Sequence, residues 1–233
     1  MISIEEMEKA GLQYGHKRTR NHPKANYFII KSNATSVSLV NLEETRRALE
    51  KALDFIKETV KNNKIILLVG TQAGAKQKIQ EIAQKYDYPY VIEKWLGGTL
   101  TNFKTLFERI KYLKELEEKQ EQGAWENFTK KEKHKLSQEL MKLQKKFLGL
   151  RNMTRIPDVL LVIDPEIHST AIREAKRLKI PIVALLDTDD DPTLIEYPIP
   201  GNDSAKSAIS YVLEQIDKAI EEAKKGVSEL QNV

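Results

Sequence analysis

The run "GHKRTRNHPK" sets His16, Lys17, Arg18, Arg20, His22 and Lys24 within ten residues that hold no bulky apolar side chain, flanked by Tyr14 and Tyr27. Like charges repel, and no core contact offsets the entropy of ordering such a loop. A polyanion would supply what is missing. Each phosphate contact releases counterions, and neighbouring rings can stack on bases for about 1–3 kcal/mol each. A second candidate is "KWLGGTLTNFK". There Gly97 and Gly98 permit close backbone approach, and Thr99 and Asn102 offer a hydroxyl and an amide at a helix start. Lys94, Trp95 and Lys104 stand beside them. A phosphodiester backbone needs only such groups, whereas a mononucleotide asks for a P-loop lysine or a specificity acid nearby. Further basic runs occupy Thr129 to Lys135 and Lys142, Lys145 and Lys146, with Arg151 and Arg155 just beyond.

Other chemistries find less support. "GTQAGAK", Gly70 to Lys76, sits where a phosphate loop would, but three residues separate its glycines and Gln77 follows the lysine, so it reads as a tight strand-to-helix turn. The four histidines, His16, His22, His134 and His168, lack the helical spacing of a zinc site. No G-x-S-x-G elbow occurs, and the absence of cysteine removes disulfides, thiol nucleophiles and thiolate zinc sites. "DTDDDP", Asp187 to Pro192, follows a strand at the edge where α/β proteins bind ligands, as does Asp164. Clustered carboxylates there could hold Mg²⁺, or serve only to cap local amides ahead of Pro192. We therefore expect no catalytic residue, metal or cofactor. The alternative is a nucleotide-binding or small-ligand α/β enzyme working at Gly70, Asp164 and Asp187.

The elements that must position these residues follow from periodicity. "SIEE" reads as a capping box at Ser3, worth about 1 kcal/mol, on a short helix ending at Gly11. "YFII" and "SVSLV" read as a hairpin through "KSNAT", and a helix with Leu49, Leu53, Ile56 and Val60 on one face begins at Asn41. Then apolar strands, "KIILLVGT", "YPYVIEKW", "DVLLVID" and "IPIVALLD", alternate with amphipathic helices, which argues for parallel strands buried on both faces. A long helix, about 202–225, closes the domain. The expected fold is a doubly wound three-layer α/β/α sandwich.

Residues 101–150 break that rhythm, because no strand is found in them. Phe103, Leu106, Ile110, Leu113 and Leu116, then Leu136, Leu140, Leu143, Phe147 and Leu150, form two narrow stripes around Gly123, with a capping box at Thr129 and Glu132. They predict an antiparallel, coiled-coil-like hairpin inserted in a discontinuous sandwich of residues 1–100 and 151–225, with a short tail over 226–233. Charged residues make up 31% of the chain and hydrophobic ones 40%, as in a soluble globular protein, and the N-terminus is too acidic for a targeting signal, which points to the cytoplasm. With a net charge of only +4, attraction to polyanions must come from local patches.

"GLQYGHK", "NLEET", "KIILLVGT", "PYVIEKWLGGTLTNFKT", "RIPDVLLVID", "IPIVALLDTDDDP" and "YPIPGND" occur in that order, and together they resemble the bacterial small-subunit ribosomal protein S2 family, from about Met7 to Tyr211. The resemblance implies a flavodoxin-like sandwich with an inserted coiled-coil hairpin. It implies no enzymatic activity and no membrane or small-molecule partner. It further implies a grip on ribosomal RNA near the junction of head and body, neighbouring ribosomal proteins as contacts, and help in docking the mRNA-binding ribosomal protein S1. Carried over, the loop His16 to Lys24, the turn Gly97 to Thr99 and the hairpin would meet RNA or neighbours. Asn21-His22-Pro23 stands where the family commonly has an aromatic residue before Asn-Pro, Asp189 where asparagine is common, Ser204 where a second aspartate is usual, and Thr154-Arg155 where Gly-Gly is frequent.

Overall fold

The computed structural model describes residues 2–30, 36–126 and 128–231. The main sheet is built from β4 (Ile66–Val69), β5 (Tyr90–Val91), β6 (Val159–Ile163), β7 (Ile182–Leu186) and β8 (Tyr197–Pro200), in the order β5-β4-β6-β7-β8 with every pair parallel. Counted along the sheet's own strands this is 2-1-3-4-5, the flavodoxin-like order. Side chains alternate between faces as a pleated strand requires. Ile66, Leu68, Val159, Leu161, Ile163, Val183 and Leu185 enter one core with α1 (Ile4–Ala10), α2 (Leu42–Lys61), α3 (Ala73–Tyr86) and α7 (Lys206–Gln231). Leu67, Val69, Leu160, Val162, Ile182, Ala184 and Leu186 enter the other, with α4 (Phe103–Glu121), α5 (Lys130–Phe147) and α6 (Ser169–Arg177). Helices on both faces make the three-layer sandwich.

Two strands depart from the sequence reading. Tyr14–Lys17, read as loop, is β1, and it pairs with β3 (Val37–Val40) beside β2 (Ile29–Ile30) in a small antiparallel sheet. The expected β2–β3 pairing is present, while its turn, residues 31–35, lies outside the described residues. The other is β8, hidden by Pro198 and Pro200. The Gly201 N–H donates to the Leu186 carbonyl, so by two-residue alternation both proline nitrogens turn away from β7, as an edge strand allows. The outward Pro200 carbonyl accepts the Thr45 hydroxyl of α2 at 2.7 Å.

The two expected capping boxes differ in outcome. Gly11 ends α1 at φ +83°, where a left-handed residue is wanted, but the Ser3 side chain bonds no amide, so the first box does not form. The second does, with Thr129 and Glu132 bonded reciprocally at the start of α5. The last helix begins at Lys206, after Asn202 Oδ1 has accepted the N–H groups of Ser204 and Ala205, and runs through Gly226 to Gln231, past the expected limit. Helices α4 and α5 form the inserted hairpin. They turn at Gly123 (φ +69°) and are bonded to each other by Tyr112 to Glu139 and Gln144 to Glu117.

Candidate nucleic-acid interface

The basic N-terminal segment does not wait for an outside anion. It lies against the acidic loop that follows β7, and a Cβ on Gly15 would meet Thr188 Cγ2 at 2.5 Å, so only glycine lets β1 approach this closely. The His16 N–H donates to Thr188 Oγ1 at 3.1 Å, and its ring Nδ1 lies 2.9 Å from Asp187 and 3.3 Å from Asp189. Arg20 pairs with Asp189 at 3.0 Å, and Lys24 with Asp191 at 2.8 Å. Burial alone would raise the Asp191 pKa, but the Lys24 ammonium and the donors of Thr193 outweigh it and hold it near 2. The expectation that only a polyanion could order this segment is corrected: His16, Arg20 and Lys24 are already matched within the chain. Lys17 and Arg18 remain exposed and make no ion pair among the described residues, with the Tyr14 and Tyr27 rings exposed nearby.

The glycine turn needs a second correction. Glu174 on α6, only 7% exposed, fills it. One carboxylate oxygen accepts Trp95 Nε1–H at 3.0 Å and the Gly98 N–H at 2.8 Å; the other accepts the N–H groups of Leu100 and Thr101 and the Thr101 hydroxyl, at 2.9, 3.1 and 3.2 Å. Burial by itself would push the Glu174 pKa up, yet the donors of Trp95, Thr101, Leu100 and Gly98 hold it below the ordinary glutamate value. Thr99 is buried and gives its hydroxyl to the Leu96 carbonyl at 2.6 Å. The amides, Thr99 and the Trp95 indole are thus not free for a phosphodiester. Lys94, Gly97, Asn102 and Lys104 stay on the surface, with open space around Gly97. The tie to Glu174 is hard to see in sequence, because "HSTAIREAKRL" is an ordinary amphipathic helix.

On the hairpin the charges behave differently. Residues 101–150 hold 12 of the 38 basic and 8 of the 34 acidic side chains, so the whole +4 resides there and the rest of the chain is balanced. Among the described residues only Lys145 of these cations makes an ion pair, at 3.7 Å to Glu93. Lys131, Lys135, Lys142 and Lys146 are exposed along α5. At 3.6 residues per turn they fall within about 60° of arc over roughly 22 Å. Beyond the hairpin, Arg151 pairs with Glu117 at 2.6 Å and Arg155 with Asp158 at 2.8 Å, so those two cations are partly neutralised.

At the carboxyl ends of the strands, carboxylates gather. Gln72 donates to Asp164 across the point where the strand order reverses, between β4 and β6. The glycine at position 70 serves packing, since a Cβ there would meet Ile79 Cδ1 at 2.5 Å. Burial, then the surrounding acids, pushes Asp190 up to about 8 and Asp203 up to about 9, and burial raises Asp187 as well. His168 is kept neutral-leaning by burial and bonds the Asp164 carbonyl through Nδ1 at 2.8 Å. Ligand atoms of His16, Asp187 and Asp189 lie within 4.8 Å of one another, an arrangement that could hold a cation.

The family model described as Ribosomal protein S2 matches residues 7–223. The chain belongs to the ribosomal protein S2 family. Relatives named small ribosomal subunit protein uS2 agree. That of Dictyoglomus thermophilum is 42% identical over 96% of this chain and 90% of its own length, and that of Coprothermobacter proteolyticus 39% over 97% and 84%. That of Mycolicibacterium vanbaalenii is 37% identical over 95% and 81%. The S2 family is structural and non-enzymatic, a component of the small ribosomal subunit. No helix among the described residues is long and apolar enough to cross a membrane.

Within the S2 family's pattern the departures in this chain find local roles. Asp189 is the residue that receives Arg20, so the added acid is matched by a cation. Ser204 donates its hydroxyl to Asp203 at 3.3 Å. His22 accepts the Lys24 N–H at 3.3 Å and starts a short 3₁₀ turn. Arg155 is held by Asp158, which also receives the Ile65 N–H at 2.8 Å.

Proposed function

We propose that this chain is a cytoplasmic ribosomal protein that grips small-subunit ribosomal RNA near the junction of head and body, without catalysis. The inserted hairpin, residues 101–150, acts as the gripping module on the sandwich. The observation that carries this reading is the division of charge. Among the described residues about half of the sandwich's cations have a carboxylate partner, whereas on the hairpin only Lys145 does, and Lys17 and Arg18 also face solvent without one. Unpaired lysines and arginines held on a rigid scaffold are what a ribose-phosphate backbone requires, and they position without reading sequence. Lys94, Lys104 and Asn102 at the hairpin root extend the same surface. Arg20, Arg151 and Arg155, each about half exposed, can share their existing pairs with phosphate.

The test is binding to small-subunit ribosomal RNA across a salt titration. Lys17→Ala and Arg18→Ala each reduce affinity and lower the slope of log K against log salt by about 1, with the melting temperature unchanged. Identical slopes for wild type and both variants, or absence of the tagged chain from small subunits isolated at physiological salt, would overturn the proposal. The family resemblance extends it to docking of ribosomal protein S1, and small subunits assembled without this chain are then expected to lack that protein.

A further inference from the structure

We infer that Glu174 is a positioning residue for the hairpin: an internal counter-anion seated in a carboxylate-binding nest at the hairpin's root, fixing the direction in which α4 leaves the sandwich. An acid on the buried face of a helix is costly unless its oxygens are matched. Here all five donors are neutral, three backbone amides, an indole and a hydroxyl, and no lysine, arginine or histidine pairs with Glu174 among the described residues. Converging amides of this kind form the anion nests found at helix starts, where the helix dipole adds a positive potential. Gly98 makes the nest possible. At φ +89° it turns the chain where the Gly98, Leu100 and Thr101 N–H groups converge on one carboxylate while the Thr99 N–H goes to the Leu96 carbonyl, and a Cβ there would also press on Asn102 Cβ at 3.2 Å.

The mechanical consequence follows from where the two partners sit. Glu174 belongs to α6, which packs on the sheet through Ala171, Ile172 and Ala175, while the nest runs directly into α4 at Phe103. Two oxygens holding donors from Trp95, Gly98, Leu100 and Thr101 leave that turn little freedom to pivot. A neutral amide cannot do the same, because the NH₂ of a glutamine side chain would turn donors toward donors. Glu174→Gln therefore loses the latch although its shape is kept.

Absence of cysteine from the chain allows paired spin labels at Lys64→Cys on the sandwich and Lys119→Cys on α4. In the full chain without RNA, Glu174→Ala and Glu174→Gln are expected to broaden the label-to-label distance distribution. Sodium formate narrows it again for Glu174→Ala and raises that variant's melting temperature by roughly 2–4 °C over sodium chloride at equal ionic strength. Wild type does not respond to formate. A Glu174→Gln chain with the wild-type distribution and melting temperature, or a Glu174→Ala chain that formate does not restore, would overturn the inference. Should Glu174→Ala fail to fold, Glu174→Gln alone decides between the two outcomes. The importance of hairpin direction rests on the proposed RNA grip, but these readouts use no RNA, so the nest and the grip fail separately.

Discussion

Asp203 stands at the foot of α7 almost without solvent, and first burial and then Asp164, Asp187, Asp190 and Asp189 raise its carboxyl to about 9. Below about pH 4 folded and unfolded chains both keep this proton. Above it the unfolded chain releases the proton while the folded chain retains it until about pH 9, so this residue's contribution to stability falls steadily across that window. Asp203→Asn keeps an acceptor for Ser204 and removes the titration. We expect it to stabilise the isolated protein by at least about 1 kcal/mol, about 2–4 °C, at pH 8 and hardly at all at pH 4, read by thermal unfolding at both. An equal effect at the two pH values would refute the account. Little of this residue-scale chemistry is legible along the chain. "DTDDDP" and "GND" announce acids, but that Asp164 and Asp203 stand among them follows from strands brought side by side by the topology. Glu174 is still more hidden, because its partners lie some 75 positions earlier, on the turn at Gly98 to Thr101.

At the scale of elements, close approaches decide which glycines matter. Gly149, just after α5, sits so tightly against β5 that a Cβ would collide with the Tyr90 carbonyl oxygen, a backbone atom that cannot swing aside. Gly97 has nothing within 4 Å of such an added carbon. Gly149→Ala should therefore cost about 1–3 kcal/mol in urea unfolding, while Gly97→Ala stays within about 0.5 kcal/mol. Equal costs would mean that the hairpin's return is not fixed by this contact. The sequence points to the wrong one of the pair, since "WLGGTLTN" advertises its glycines and "FLGLRN" does not. Elements with strong periodicity, β4, β6, β7, α2 and the hairpin helices, are legible because burial on one or both faces writes itself into residue type. β1 and β8 are not. β1 pairs with β3 but sets its His16 against a carboxylate loop, which keeps it polar, and β8 carries prolines that only an edge position tolerates.

Over the whole molecule, a net charge of +4 is too small to explain attachment to a polyanion by the global field, yet all of it is carried by the hairpin, residues 101–150. The sandwich is electrically balanced and pairs about half of its cations within the chain, including Arg20 and Lys24 of the N-terminal segment that looked in sequence like the richest polyanion site. This separation makes a matched comparison decisive. Replacing Lys131, Lys135 and Lys142 by glutamine neutralises one exposed face of α5, whereas replacing Lys51, Lys61 and Lys218 removes the same charge from exposed positions on α2 and α7. Both triple variants should melt within a few degrees of wild type, because exposed lysines without partners contribute little to folding. In a salt titration against small-subunit ribosomal RNA, the α5 triple should lower the log–log slope by about 2 to 3, and the sandwich triple by less than about 1. Equal slopes for the two would mean that net charge alone governs association, and the hairpin would lose its claim to be the gripping surface.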